Sequence, residues 1–272
     1  MSNPVRQDHE IDGSVQYRVT PAEEITEAQW TICADTFTRH YGVWSSQITS
    51  SIGPWTPGAR VAMSKSKLKA QSLSDGAVNF LITATASDKV PIEPIGHCFV
   101  SQWMHSGARI WWITQLVVRP EHRNQRHATR MLEALAAQHN FRKELDVRDV
   151  VGVLSSHPFT ICAVLRVFGQ GIEHSRLRRD SGSSAVETSG LLLERSQCEA
   201  LLASAPVEYV RAAKMHADTM SAFTGFYVDH TEPERARKMV SAGLRGSEGY
   251  FQVLDEGHEY VCVVNSGAAR EP

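Results

Sequence analysis

Residues 110–132 read Ile110-Trp111-Trp112-Ile113-Thr114-Gln115-Leu116-Val117-Val118-Arg119-Pro120-Glu121-His122-Arg123-Asn124-Gln125-Arg126-His127-Ala128-Thr129-Arg130-Met131-Leu132. Ile110, Trp112, Thr114, Leu116 and Val118 alternate with Trp111, Ile113, Gln115 and Val117, and both sets are mostly apolar. Such a run predicts a central strand covered on both faces. Pro120 has no N–H to give a ladder, so the strand is expected to end near Arg119. From Ala128 onward the apolar residues Ala128, Met131, Leu132, Leu135 and Ala136 fall at helical spacing, a stripe suited to packing on a sheet. Between strand and helix lies a basic turn. The first N–H groups of a helix lack intrahelical partners and its dipole favours an anion there. Arg123, Arg126 and Arg130 add full charges, so the turn reads as a pyrophosphate holder; the same composition also fits a basic surface turn.

Outward from this module, 272 residues at 42% hydrophobic can bury the core of one large domain or one and a half. A net charge of −2 creates no wide field for nucleic acid or a membrane surface. Met1–Glu10 is polar, unlike a signal peptide, and no apolar run approaches bilayer length. Cys33, Cys98, Cys162, Cys198 and Cys262 lie far apart, which fits reduced, buried thiols in a cytoplasmic protein. Metal-ligand spacing, a Ser–His–Asp order and a Walker-type loop are all missing, so no metal is expected. Nothing in the sequence sets an oligomeric state.

The rest of the chain reads as an α/β order. A strand at Tyr17–Thr20 precedes a helix at about Ala22–His40, a loop at Trp44–Gly58 and a helix at Val61–Leu73 whose Lys65, Lys67 and Lys69 form a solvated face. Strands follow at Ala77–Thr85 and Gly96–Met104, joined across Ser87–Pro94. After the central module come a strand at Val150–Leu154 and a helix at Pro158–Phe168, opened by its proline and stopped by Gly169. Arg179–Ser189 is rich in Gly and Ser. Beyond it are helices at Ser196–Ser204 and Val207–Thr219 and a strand at Gly225–Val228. Thr231 with Glu234 is a capping-box signal for a helix to about Ala242, and Tyr250–Leu254 with Glu259–Val264 reads as a hairpin. The organisation is therefore expected as residues 1–178, a linker at 179–190, and an α+β region at 191–272.

The succession of strand, Leu116-Val117-Val118, Arg119-Pro120-Glu121, then Arg123 and Ala128 opening a helix, resembles the coenzyme A site of the GNAT acyltransferase superfamily. Ser155-Ser156-His157-Pro158, with Phe168-Gly169 further on, stands where that family carries its second cofactor-contacting helix, and its wording resembles a fungal branch. The resemblance runs to about Gly171. It implies the GNAT fold, a mixed, mainly antiparallel central sheet flanked by helices, here with an α+β C-terminal extension. It also implies binding of acetyl-CoA or another acyl-CoA, and acyl transfer to an amine or hydroxyl of a small molecule in small-molecule biosynthesis. Cofactor contacts are implied at Leu116, Val117, Val118, Arg123, Asn124, Gln125, Arg126, His127, Ala128, Thr129 and Ser155. The chain departs from the family at Arg126, where the turn usually has a glycine that lets backbone approach phosphate.

Acyl transfer requires a polarised thioester carbonyl, a neutral nucleophile and a protonated leaving thiol. The resemblance implies a carboxylate near the start of the central strand, but the matching residues are Trp112, Thr114 and Gln115, none a base at neutral pH. Gln115 remains a candidate by position. His157 and then His105 are the replacement bases, since histidine titrates near neutrality. Asp229 with His230, or His258 with Glu259, could reach in from the last third. Trp44, Trp55, Trp103 and Trp112 are candidate walls of an apolar acceptor pocket; Trp111 and Trp112 point to opposite faces, so only one of them can serve. Two alternatives stay open. The scaffold could act without coenzyme A, in cyclisation, elimination or ligand binding, or the chain could be a non-catalytic interaction protein.

Overall fold

A computed structural model describes residues 9–10, 15–86, 93–141, 148–169, 192–243 and 250–266. Its strands are β1 (His9–Glu10), β2 (Val15–Pro21), β3 (Val78–Ala86), β4 (Glu93–His105), β5 (Ala108–Val118), β6 (Arg148–Ser155), β7 (Lys214–Met215), β8 (Ser221–Phe223) and β9 (His258–Asn265). Its helices are α1 (Glu27–His40), α2 (Lys65–Ser72), α3 (His127–Gln138), α4 (Pro158–Phe168), α5 (Arg195–Ser204), α6 (Glu208–Ala212) and α7 (Thr231–Gly243). The strands form one sheet in the order β1-β2-β3-β4-β5-β6-β9-β8-β7. The β5–β6 pair is parallel and the others are antiparallel. A parallel pair needs a crossover, and α3 supplies it.

β5 is covered on both faces, as its double apolar alternation requires. Trp111 and Ile113 pack into a core with α3 and α4, while Ile110 and Trp112 join a second core with α5 and α6. A third core packs α1 and α2 on Phe99 and Val117. The pairing with β4 slips at one point: Phe99 faces Gln115 and Val100 faces Ile113, so Thr114 is the extra residue of a β-bulge. Beyond it Leu116 and Val118 take over the face that Trp111 and Ile113 held. The bulge reverses the parity of the strand.

The same point splits the sheet. The β5–β6 ladder ends at Ile113 and Val153, whereas β6 continues with β9 to Ser155 and Tyr260. From Thr114 onward β5 stays with β4, β6 stays with β9, and a V-shaped cleft opens between them.

Several expected boundaries move for local reasons. The helix expected from Ala22 is a 3-10 turn at Ala22–Glu24, and α1 starts afresh where Thr26 and Gln29 form a capping box. α2 begins only after Ser64, whose hydroxyl accepts from the Lys67 N–H. The helix expected at Val207–Thr219 stops at Ala212, because Lys214 and Met215 pair with β8. The strand expected at Gly225–Val228 falls at Ser221–Phe223 instead, and Val228 makes a single bridge to Trp44. The expected hairpin is absent: β9 pairs with β6 and β8, and residues 250–254 meet it through side chains, Tyr250 donating its hydroxyl to the Val261 carbonyl and Tyr260 its hydroxyl to the Gln252 carbonyl. A strand buried on both faces belongs inside a sheet. The linker expected at 179–190 lies outside the described residues. Among the described residues no helix is long and apolar enough to cross a membrane.

Candidate active site

The cleft between β5 and β6 widens into a cavity of about 1020 Å³. Along its β5 side, alternate backbone groups turn away from β4. The Thr114 carbonyl accepts from the Tyr209 hydroxyl at 3.1 Å, and the Val118 carbonyl accepts from Arg123 Nε at 3.0 Å. Leu116, between them, presents its backbone edge to the same cleft by the two-residue alternation of a strand.

At the outer end of β5 the chain makes a 3-10 turn at Pro120–His122 and then enters α3 through two left-handed residues, Asn124 at φ 60° and Arg126 at φ 66°. Arg126 is the N-cap of α3 and makes no side-chain cap, so no capping side chain covers the first amides of the helix. The chain thus keeps a glycine-like conformation at the position where glycine is missing, at a cost on the order of 1 kcal/mol. Arg123 is the fixed point of the turn. Besides Val118, its guanidinium donates to the His40 carbonyl at 2.9 Å and pairs with Glu232 of α7.

Of the residues implied as cofactor contacts, Leu116, Val117, Val118, Arg123, Asn124, Arg126, His127, Ala128, Thr129 and Ser155 line the cavity. Gln125 does not; its amide turns back to donate to the Glu121 carbonyl at 3.0 Å. His127 is buried, with Nδ1 2.7 Å from the Tyr17 hydroxyl, and burial lowers its proton affinity.

Among the catalytic candidates, His157 lines the cavity as the N-cap of α4, where Nδ1 accepts from the Phe159 N–H. Its Nε2 lies 3.8 Å from Glu232. His157, with Arg123, lowers the Glu232 carboxyl to about 2. Gln115 also lines the cavity, but its Oε1 lies 2.7 Å from Nε2 of His97, which burial pushes down to about 4. That pair is a satisfied buried contact. His105 is not part of the cavity wall: it ends β4 beside the tight turn at Ser106 and Gly107, both at positive φ, at the opposite end of β5 from the cleft.

The tryptophans divide in the same way. Trp44 and Trp55 line the cavity and stack at 4.7 Å. Trp103 and Trp112 lie outside it, in the core against α5 and α6. The Trp112 ring covers Gly152, where a Cβ would come within 2.2 Å of it.

A carboxylate faces the cleft from the β9 side. Glu259 of β9 lines the cavity, yet it is only 5% exposed. Burial raises its carboxyl to about 7, against the opposing hydrogen bonds from the Thr224 side chain and the Ser156 backbone. Tyr41 and Tyr209 stand near enough to feel its charge, and burial raises both phenols. In the sequence Glu259 was only half of a His258–Glu259 pair; its signal was one acid at the head of the apolar run 260–264. Of the other pair, Asp229 lines the cavity, while His230 lines a smaller adjoining pocket of about 290 Å³.

Residues 47–151 match the Acetyltransferase (GNAT) family. The matched stretch runs from the loop after α1 through β5 and α3 into β6. No curated protein matches the chain. Among solved structures, a GNAT family acetyltransferase from Staphylococcus aureus is similar at 15% identity and a TM-score of 0.32, covering 64% of this chain and 98% of its own. An acetyltransferase of GNAT family from Streptococcus pneumoniae is similar at 11% identity and 0.34, covering 55% and 82%. An aminoglycoside 6'-N-acetyltransferase complexed with coenzyme A is similar at 13% and 0.28, covering 50% and 61%. The architecture is the GNAT fold, a mixed α/β sheet that is mainly antiparallel and flanked by helices.

Proposed function

We propose that the protein is an acyl-CoA-dependent acyltransferase acting on an amine or hydroxyl of a small molecule. The observation that carries this reading is the left-handed Asn124–Arg126 turn, which presents an uncapped α3 beside the open edge of β5. Backbone N–H groups so arranged suit a diphosphate, and the Leu116 edge suits an extended amide-bearing arm. Arg126 adds charge while its backbone does what the family glycine does. Acyl-CoA, when bound, supplies the acyl group as a thioester.

The chain's own residues then have distinct tasks. Glu259 accepts the proton that the acceptor must lose as its new bond to the acyl carbon forms. A carboxyl poised near 7 suits that role at neutral pH. Tyr209, held on the Thr114 carbonyl at the apex of the cleft, is the proton donor for the sulfur released as the carbon–sulfur bond breaks. Calorimetry with coenzyme A and acetyl-CoA tests the reading: binding that weakens when Ala128→Trp fills the turn supports it, and no heat at millimolar ligand sinks it.

A second reading, a scaffold that works without coenzyme A in cyclisation, elimination or ligand carriage, has one observation in its favour. The Glu232 carboxylate sits on Arg123 and beside His157, an anion where an anionic cofactor would lie. If that reading holds, Glu232→Gln leaves coenzyme A unbound.

A further inference from the structure

Next to His40, whose carbonyl accepts from Arg123 of the turn, the cavity carries a connected aromatic wall. Tyr41 lies 5.7 Å from Phe226, Phe226 meets Trp44 edge-on at 5.7 Å, and Trp44 stacks on Trp55. The wall is braced by backbone. Trp44 N–H donates to the Ala59 carbonyl, Ser45 N–H to Tyr227 and Asp229 N–H to Val43, each at 2.9 Å. Gly53 lets Trp55 fold onto its loop, since a Cβ there would fall 2.2 Å from the ring.

The wall and Glu259 share one chamber. The Thr224 hydroxyl that hydrogen-bonds Glu259 also accepts the Phe226 N–H at 3.3 Å. Among the described residues, no Lys, Arg or His acts on the Glu259 carboxyl; burial, Thr224 and Ser156 account for its state. Asp229 and Glu232 are the other acids of the lining; of its arginines and lysine, Arg123 is paired with Glu232, while Arg60, Lys67, Arg126, Arg166 and Arg235 are solvent-exposed. A buried carboxylate without a counter-charge favours a cationic ligand group, and aromatic faces attract the same group. Flat rings stack on the rest of the wall.

We propose that the acceptor is a small aromatic amine, its ring on the Tyr41–Phe226–Trp44–Trp55 wall and its nitrogen at Glu259. The proposal rests on the acyltransferase reading for its role, but not for its binding. The test uses the full chain without cofactor and four probes: phenethylamine, phenethyl alcohol, phenylacetate and butylamine. Ligand-observed NMR titration is expected to rank phenethylamine at least tenfold tighter than each of the other three. Trp55→Leu, on a half-buried loop residue, should erase the advantage over butylamine and keep that over the alcohol. Glu259→Gln should do the reverse. Equal binding of phenylacetate or butylamine, or no binding of phenethylamine at millimolar concentration, overturns the proposal. Calorimetry with coenzyme A separates the two readings. Coenzyme A binding without amine selectivity rejects this acceptor class and spares acyl transfer; amine selectivity without coenzyme A binding does the opposite.

Discussion

As the proposed base, Glu259 is under two opposed demands. Burial favours its neutral form, whereas proton abstraction needs the anion, and a carboxyl at about 7 divides the protein between the two near neutrality. In the unfolded chain the carboxyl returns to its ordinary 4.5. Because the folded value is raised, its contribution to stability is full below 4.5 and is lost as pH rises towards 7, on the order of 3 kcal/mol in all. Glu259→Gln should therefore unfold at higher temperature than the parent at pH 8 and at a similar temperature at pH 4. The same variant should lose about 10²–10⁴-fold in acyl transfer, and the parent's rate should climb with pH through about 7. Thermal melts at the two pH values and a pH–rate profile check this; a variant less stable than the parent at pH 8 would refute the buried-anion account. Little of this was legible in the sequence. A glutamate in an apolar strand signals something, but its partners Thr224 and Ser156 lie 35 and 103 residues away in the chain. Gln115 was misleading for the opposite reason: its place on the central strand was correct, while His97, which occupies its amide, belongs to the neighbouring strand.

One helix fixed by local chemistry at both ends matched its reading. α4 runs from Pro158 to Phe168 because proline opens it, an apolar stripe carries it and Gly169 ends it. The bulge at Thr114 escaped, since a strand apolar on both faces hides a reversal of parity. At the start of α3, Arg126→Gly should relieve the left-handed strain and raise stability by ~1 kcal/mol. Coenzyme A affinity should then hold or improve if the backbone conformation, not the arginine charge, makes the site; a large loss in calorimetry would assign the work to the guanidinium. α7 bears on the same turn through Glu232. Under the coenzyme A reading, Glu232→Gln removes an anion competing for Arg123, so binding should tighten roughly three- to tenfold, within the range of a charge interaction at a partly exposed site. Unchanged or weaker binding would mean that Arg123 serves only to hold the turn to His40 and Val118.

At the scale of the whole molecule, the last third of the chain supplies one end of the sheet, strands β9, β8 and β7. β9 lies between β6 and β8, with Val261, Cys262, Val263 and Val264 fully buried, and it carries Glu259 to the cleft. α5 and α6 cover the face of β5 that bears Trp112. Periodicity could identify these as a strand and helices but not their neighbours, because long-range pairing leaves no mark in a local window. A prediction follows from placement alone. A chain ending at Gly243 keeps the whole matched stretch, residues 47–151, yet leaves β6 without its antiparallel partner and the apolar faces of α4 and α5 partly uncovered. An unpaired apolar edge of that kind invites association. This truncation should show no cooperative thermal transition and should elute as aggregate, whereas a chain starting at residue 15 should melt like the full protein. If the truncated chain instead unfolds cooperatively as a monomer, β9 is an accessory to a sheet that closes without it, and a base carried on β9 would be an addition to a site complete on its own.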